Sequence, residues 1–392
     1  MKEAELEWKH EQQSVKMFEQ LITKTITKNN ESYTIEQIMK ERYKFEDKDI
    51  VFIKELIYCE NPPTEHHNTL PPPDQEKWSY KGRGREKSYL YEIVANKRTG
   101  IDVDKMDYFS RDCLHLGMKS NFSHERFVMF ARVCTNENNE KQICMRDKEA
   151  LNMYELFHIR YLLHHNAYHH RVTKAIEMMI VDVLLAAEHT FKLDGKKISE
   201  IASSYPELYL RLTDDILQQI KSSSRPDSDA NPDDNPNTNL KTDDNSNPKC
   251  ISLIERIEQR ALYKCIGTKI FQPQHLEDLN TVKQQENVVS AWLRCIERTD
   301  LSETDFRVRC VKIDYGMENN NPVDSLRFYR KGNENVAINL PANEVSYIRP
   351  EVFSEIKVML FYKNTRDPEL SRENIDMFWK RQTKNVQILQ SQ

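Results

Sequence analysis

The 392-residue sequence has no net positive charge: 57 Lys and Arg stand against 62 Asp and Glu, a formal balance of −5. No global positive field favours nucleic acid, so any anion binding must be local. Its eight cysteines form no CxxC pair and no short disulfide-scaffold spacing, which points to a reducing compartment. No apolar run is long enough to span a bilayer. The longest, at residues 178–187, is broken by Asp182. The opening MKEAELEWKHEQQ is charged and has no apolar segment of the signal-peptide kind. What is present is a balance of 38% hydrophobic and 30% charged residues, the composition of a globular protein with a real core. The length suits two or three domains of roughly 100–200 residues each.

The hydrophobic spacing predicts helices over residues 9–28, 48–58, 87–98 and 103–116, with Gly100 and Gly117 as left-handed stops. Thr34 and Gln37 have the spacing of a capping box. Prolines 62, 63, 71, 72 and 73 interrupt any helix between the second and third of these. Residues 126–134 and 141–145 alternate as a β-hairpin about the polar loop 136–140. One long helix is expected from 148 to about 189, and another from 251 to 266 closed by Gly267. Short strands are expected at 307–313, 324–329, 336–340 and 357–362. Residues 222–249 hold almost no apolar side chain and are expected to be a disordered insertion. The predicted fold is therefore mostly α, with a β-hairpin and a small C-terminal α+β lobe. The expected division is 1–221, the insertion 222–249, and 250–392.

Several polar rows could carry chemistry. Asp104, Tyr108 and Asp112 recur at i, i+4, i+8 and share a helix face, with Lys105 and Arg111 beside them. Two carboxylates about a phenol could hold a metal and orient a polar substrate; a solvated face is the alternative. Arg160, His164, Tyr168 and Arg171 run along the long helix. Their guanidinium groups match a polyphosphate, because arginine donates as a planar fork. His165 and His169 have the i, i+4 spacing of a metal-binding pair but no glutamate between them, so structural histidines are the competing reading. Arg256, Arg260 and Lys264 form a cationic row if 251–266 is helical. Arg126, Arg146 and Lys148 gather near a helix start, where free amides also favour phosphate. With Arg171 and Lys331 they make five cations from separate segments without matching carboxylates. Cys134 and Cys144 lie on the two hairpin strands, either facing each other or as two buried reduced thiols. His10 beside Glu11 at a helix start is a candidate general acid.

Taken in order, these segments resemble one family, the dNTP triphosphohydrolases with SAM and HD domains that restrict retroviruses in vertebrate cells. The matching stretches are WKHEQQSVKMFEQLI, YLYEIVANKRTGIDVDKMDYFSRDCLHLGMKSNF, RFVMFARVC, ICMRDKEALNMYELFH and DYGMENNNPVDSLRFY. The likeness runs from about Trp8 to about Tyr362, apart from the insertion. It implies an HD-type helical core and hydrolysis of a dNTP to deoxynucleoside and triphosphate. It implies a transition metal, zinc or iron, with Asp104 as one ligand, and His10 and Glu11 as the catalytic pair. Lys105, Tyr108, Asp112, Arg160, His164 and Tyr168 match substrate-contacting positions. Arg260 and Lys264 match part of a GTP activator site. Arg126, Arg146, Lys148, Asn152, His170, Arg171 and Lys331 match a dNTP activator site, with magnesium on the activators.

The resemblance further implies a nucleotide-assembled homotetramer, a nuclear or cytoplasmic location, antiviral defence and no membrane; single-stranded nucleic acid is a further candidate partner. His169 stands where a glutamine is expected, Asn166 replaces an arginine and Arg171 a lysine. The family's SAM domain, first metal-binding histidine and His-Asp pair find no counterpart in these residues, which alone are therefore expected to be inactive. The alternative is a catalytically dead nucleotide- or nucleic-acid-binding subunit that assembles with complete partners.

Overall fold

The computed structural model describes residues 8–59, 78–137, 139–224, 247–272, 289, 292, 301–346, 348 and 350–364. The proline-rich stretch and residues 225–246 of the expected insertion lie outside them. In chain order the helices are α1 (His10–Thr23), α2 (Ile35–Glu41), α3 (Asp47–Ile57), α4 (Val103–Leu116), α5 (His124–Phe130), α6 (Ala150–Leu163), α7 (Arg171–Ala187), α8 (Ile198–Ser204), α9 (Pro206–Tyr209), α10 (Ile216–Ser223) and α11 (Pro248–Glu258). The strands are β1 (Thr25–Lys28), β2 (Glu31–Thr34), β3 (Arg132–Thr135), β4 (Lys141–Arg146), β5 (Lys264–Phe271), β6 (Phe306–Asp314), β7 (Phe328–Arg330), β8 (Asn333–Ile338) and β9 (Ser354–Tyr362). Helices with small sheets are what the composition and spacing lead one to expect. Among the described residues no helix is long and apolar enough to cross a membrane.

The chain divides into two compact units, residues 1–163 with 314–353 and residues 164–313 with 354–392. In the first, α4 is the helix that its caps announce. Asp102 accepts from the Lys105 amide at 3.1 Å at its start, and Gly117 ends it at φ 66°. It buries Met106, Phe109 and Cys113. The capping box of Thr34 and Gln37 opens α2. β3 and β4 form the hairpin, with Arg132 opposite Cys144 and Cys134 opposite Gln142. β8 and β7 then join it in parallel, through Thr135 with Val336 and Met145 with Phe328, to close a four-stranded sheet. Cys134 and Cys144 are 1% and 0% exposed and unbridged. In the second unit, α7, α8, α10 and α11 bury Met179, Val183, Ile201, Ile220 and Ile254 against Met359 and Phe361 of β9. There β9 lies between β5 and β6.

Several expectations fail, each for a local reason. The first helix stops at Thr23, because Asn29 and Asn30 adopt φ 55° and 66° and turn a β1–β2 hairpin. Residues 87–98 make only a 3₁₀ segment to Glu92. Asn96 Oδ1 accepts from the amides of Arg98 and Thr99, both at 3.0 Å, and this side-chain turn competes with a helix. Residues 124–130 are helical rather than extended, capped by Ser123 at the Arg126 amide. The long helix is interrupted after Leu163 by a π-turn over His164–Tyr168. The helix expected over 251–266 ends at Glu258, with Arg260 left-handed at φ 60°, and Lys264 opens β5. The cationic row of Arg256, Arg260 and Lys264 therefore does not exist. Pro322–Ser325 is a 3₁₀ turn, which shortens the strand expected from 324. The two ends of the expected insertion, at 222–223 and 248–249, belong to α10 and α11.

Candidate functional site

α4 packs on α6, and this joins two of the polar rows within the first unit. Asp104 is exposed, and Tyr108 and Asp112 are half-buried along one side of α4. Burial pushes the Tyr108 phenol up to about 12; Asp104, Asp102 and Asp112 push the same way, and the Arg160 charge opposes them. The phenol thus stays a neutral donor at ordinary pH. Lys105 folds back onto buried Asp102, Nζ to Oδ2 at 2.9 Å.

Arg160 is held by a turn that the spacing of polar residues did not reveal. Its Nη1 donates to Asp314 Oδ1 at 2.9 Å and also to the Asp314 carbonyl. The Gly316 amide donates to the same carboxylate at 2.7 Å. Gly316 sits at φ 100°, and a Cβ there would lie 3.7 Å from Arg160 Cδ. The signal was present as Asp314-Tyr315-Gly316, a carboxylate two residues before a glycine. Without the fold nothing linked it to α6.

His10 opens α1, is 74% exposed, and pairs through Nδ1 with Glu11 at 3.1 Å. α1 packs on α2 and α3. In the second unit the π-turn sets His164 Nδ1 3.2 Å from His169 Nε2, with the Tyr168 ring edge-on to His164 at 5.0 Å. His165 Nδ1 lies 3.0 Å from Asn166 Oδ1.

The proposed activator residues fall into separate groups. Arg126, Arg146 and Lys148 surround one ring, Phe130, at 5.4, 5.8 and 4.2 Å. They are not without carboxylates, as the sequence suggested: Arg126 forks onto Glu149, which is 1% exposed, with Nε to Oε2 at 3.0 Å. Asn152 spends its amide on the Ser123 backbone, at 2.9 and 3.1 Å. Lys331 is exposed in the β7–β8 turn beside Gly332. In the second unit His170 caps α7 by accepting from the Val172 amide at 3.3 Å, and Arg171 is its first residue. Arg260 and Lys264 flank the turn from α11 to β5.

Sequence comparison shows what the chain is similar to. No family model matches the chain. Over 371 residues it is 39% identical to the deoxynucleoside triphosphate triphosphohydrolase SAMHD1 of Bos taurus, covering 93% of this chain and 57% of that protein. The protein of that name from Gallus gallus is 38% identical over 375 residues (93% and 54%), and that from Homo sapiens 38% over 368 (92% and 52%). The chain is similar to these triphosphohydrolases over almost all of its length. It spans little more than half the length of these triphosphohydrolase relatives. A transition metal is what the resemblance in the sequence leads one to expect. Among the described residues, no group of three or more His, Cys, Asp or Glu could hold a metal ion. Catalytic transition-metal sites usually take about three protein ligands, so the described residues do not fit such an ion by themselves. Asp104 offers it one carboxylate.

Proposed function

We propose that this chain carries the substrate and activator surfaces of a dNTP triphosphohydrolase, in which water and a dNTP give a deoxynucleoside and triphosphate. The observation that carries this reading is the sustained identity to relatives named for that reaction. The joined α4–α6 surface supports it. Arg160, oriented by Asp314, presents a planar fork to the triphosphate, and Lys105 adds charge. Tyr108 donates as a neutral phenol, and Asp112 accepts from the sugar or base. In the second unit, His164 and Tyr168 are the positions that the resemblance assigns to the substrate. His10, paired with Glu11, delivers a proton to the leaving sugar oxygen. Asp104 would be one ligand of a zinc or iron centre in an HD-type core, which would supply Lewis-acid chemistry when bound.

The cations around Phe130, with Asn152 and Lys331, form one part of a dNTP activator site; His170 and Arg171 form another, and Arg260 with Lys264 belong to a GTP site. Magnesium-bearing activators drive assembly to a homotetramer. The family likeness favours a nuclear or cytoplasmic place and a part in antiviral defence.

A second reading has its own observation. The lack of a metal-holding group among the described residues suits a nucleotide- or single-strand-binding subunit that performs no hydrolysis itself. Metal content of the protein purified from its source cells decides between them. Near-stoichiometric zinc or iron, with triphosphate release that Asp104→Ala abolishes, supports the first reading. Magnesium-dependent dATP binding that Arg160→Ala weakens, with neither metal nor release, supports the second.

A further inference from the structure

In an α-helix, residues five apart point roughly 140° away from each other, so their side chains do not meet. The π-turn changes this. The His169 amide donates to the His164 carbonyl at 2.8 Å, a bond from i+5 to i. That wider turn brings the two rings onto one side, with centroids 5.2 Å apart and 38° between planes. It is also held from outside. Thr173 Oγ1 and the His170 amide both donate to the Ala167 carbonyl, at 3.0 and 3.2 Å. Lys357 Nζ of β9 reaches the His169 carbonyl at 3.4 Å. Single π-turns within helices are frequent at functional sites, and this one spans two residues assigned above to the substrate, His164 and Tyr168.

We infer that His169 is a positioning residue for His164: its Nε2–H donates to His164 Nδ1, fixing the ring and leaving the opposite Nε2–H to donate to a phosphate oxygen of a bound nucleotide. The physical reason is that a neutral imidazole has one donor and one acceptor. The partner of one nitrogen therefore dictates the state of the other. At 3.2 Å the nitrogens need one proton between them. An anionic ligand requires His164 to keep its own proton on Nε2, so His169 must be the donor. Tyr168, edge-on to His164, limits the ring's rotation from a second side.

This role rests on the proposed substrate site, and the test separates the two. The full chain, labelled with ¹⁵N histidine, is compared with His169→Gln and His169→Ala by long-range ¹H–¹⁵N correlation near neutral pH. The glutamine amide can donate from about the place of the histidine Nε2; alanine cannot. His164 is expected to show a bare Nδ1 and a protonated Nε2 in the parent and in His169→Gln, and a tautomer mixture in His169→Ala. A protonated Nδ1 in the parent, or a His164 pattern unmoved by His169→Ala, overturns the inference. Calorimetry with magnesium dATP supplies the second arm. His169→Ala is expected to weaken binding roughly three- to tenfold, the effect of one ordinary hydrogen bond, with His169→Gln near the parent. The expected tautomers with dATP affinity unchanged in both His164→Ala and His169→Ala would overturn the substrate-site reading while leaving the imidazole pair intact.

Discussion

Asp314 matters because Arg160 is only 19% exposed and Asp314 18%. A guanidinium so placed needs its carboxylate. Asp314→Ala removes that acceptor and also strands the Gly316 amide. We expect a stability loss of about 1–3 kcal/mol, the cost of leaving a buried partner unsatisfied, read from the urea midpoint, together with weaker dATP binding. Asp314→Asn keeps a neutral acceptor and is expected to lose less. The tyrosines give a pH prediction. Burial raises the phenols of Tyr80 and Tyr108 from 10.0 up to about 12. Burial raises Tyr91 and Tyr263 further, helped by hydrogen bonds to Glu55 and Asp182. An acid whose folded pKa is raised contributes its stability fully below the unfolded value, and that contribution disappears as pH climbs through the folded one. Stability should therefore fall between about pH 10 and 12, with the phenolate absorbance of these four appearing together with unfolding. Stepwise titration of all the tyrosines near pH 10 in a folded protein would contradict this.

At the scale of elements, the segment 78–84 is fastened to α3 by a polar and aromatic staple. Glu55 accepts from the amides of Lys81 and Gly82 at 2.6 and 2.9 Å and from the Tyr91 hydroxyl at 2.6 Å. Tyr80 stacks on Tyr91 at 3.8 Å, and Arg83 lies over Phe52. A Cβ on Gly82 would collide with the Phe52 backbone. Gly82→Ala should cost about 1–3 kcal/mol, as overpacking does, and a melting temperature equal to the parent would show that the segment yields instead. The elements proposed to bind an activator carry a division of labour. Because buried Glu149 is paired with Arg126, Arg126→Ala should lower the melting temperature even without nucleotide. Arg146→Glu and Lys331→Glu reverse charge without breaking that pair. They should leave the melting temperature near the parent but abolish dNTP-promoted oligomerisation, as sedimentation would record. Assembly that persists in both would displace the activator site from β4 and the β7–β8 turn.

At the scale of the whole molecule, each unit is made of two stretches of chain distant in sequence. The four-stranded sheet shows what this means: the hairpin at 132–146 is completed by strands at 328–338. An alternating pattern can announce a strand, but parallel partners nearly two hundred residues away leave no local trace. Elements whose ends are set by their own residues were legible. α4 between Asp102 and Gly117, and α2 behind its capping box, follow from side chains that satisfy nearby backbone groups. The i, i+4 row Asp104–Tyr108–Asp112 was legible for the same reason, since helix geometry alone places those residues on one face. The likeness to dNTP triphosphohydrolases was readable too. Only the tertiary structure decided that α5 is helical, that the long helix is interrupted at His164, that Arg160 answers to Asp314, and that Arg126 already has Glu149. Those outcomes depend on which distant backbone or buried carboxylate comes within hydrogen-bonding reach. That is a matter of packing, where an unmet buried polar group costs more than any local propensity returns.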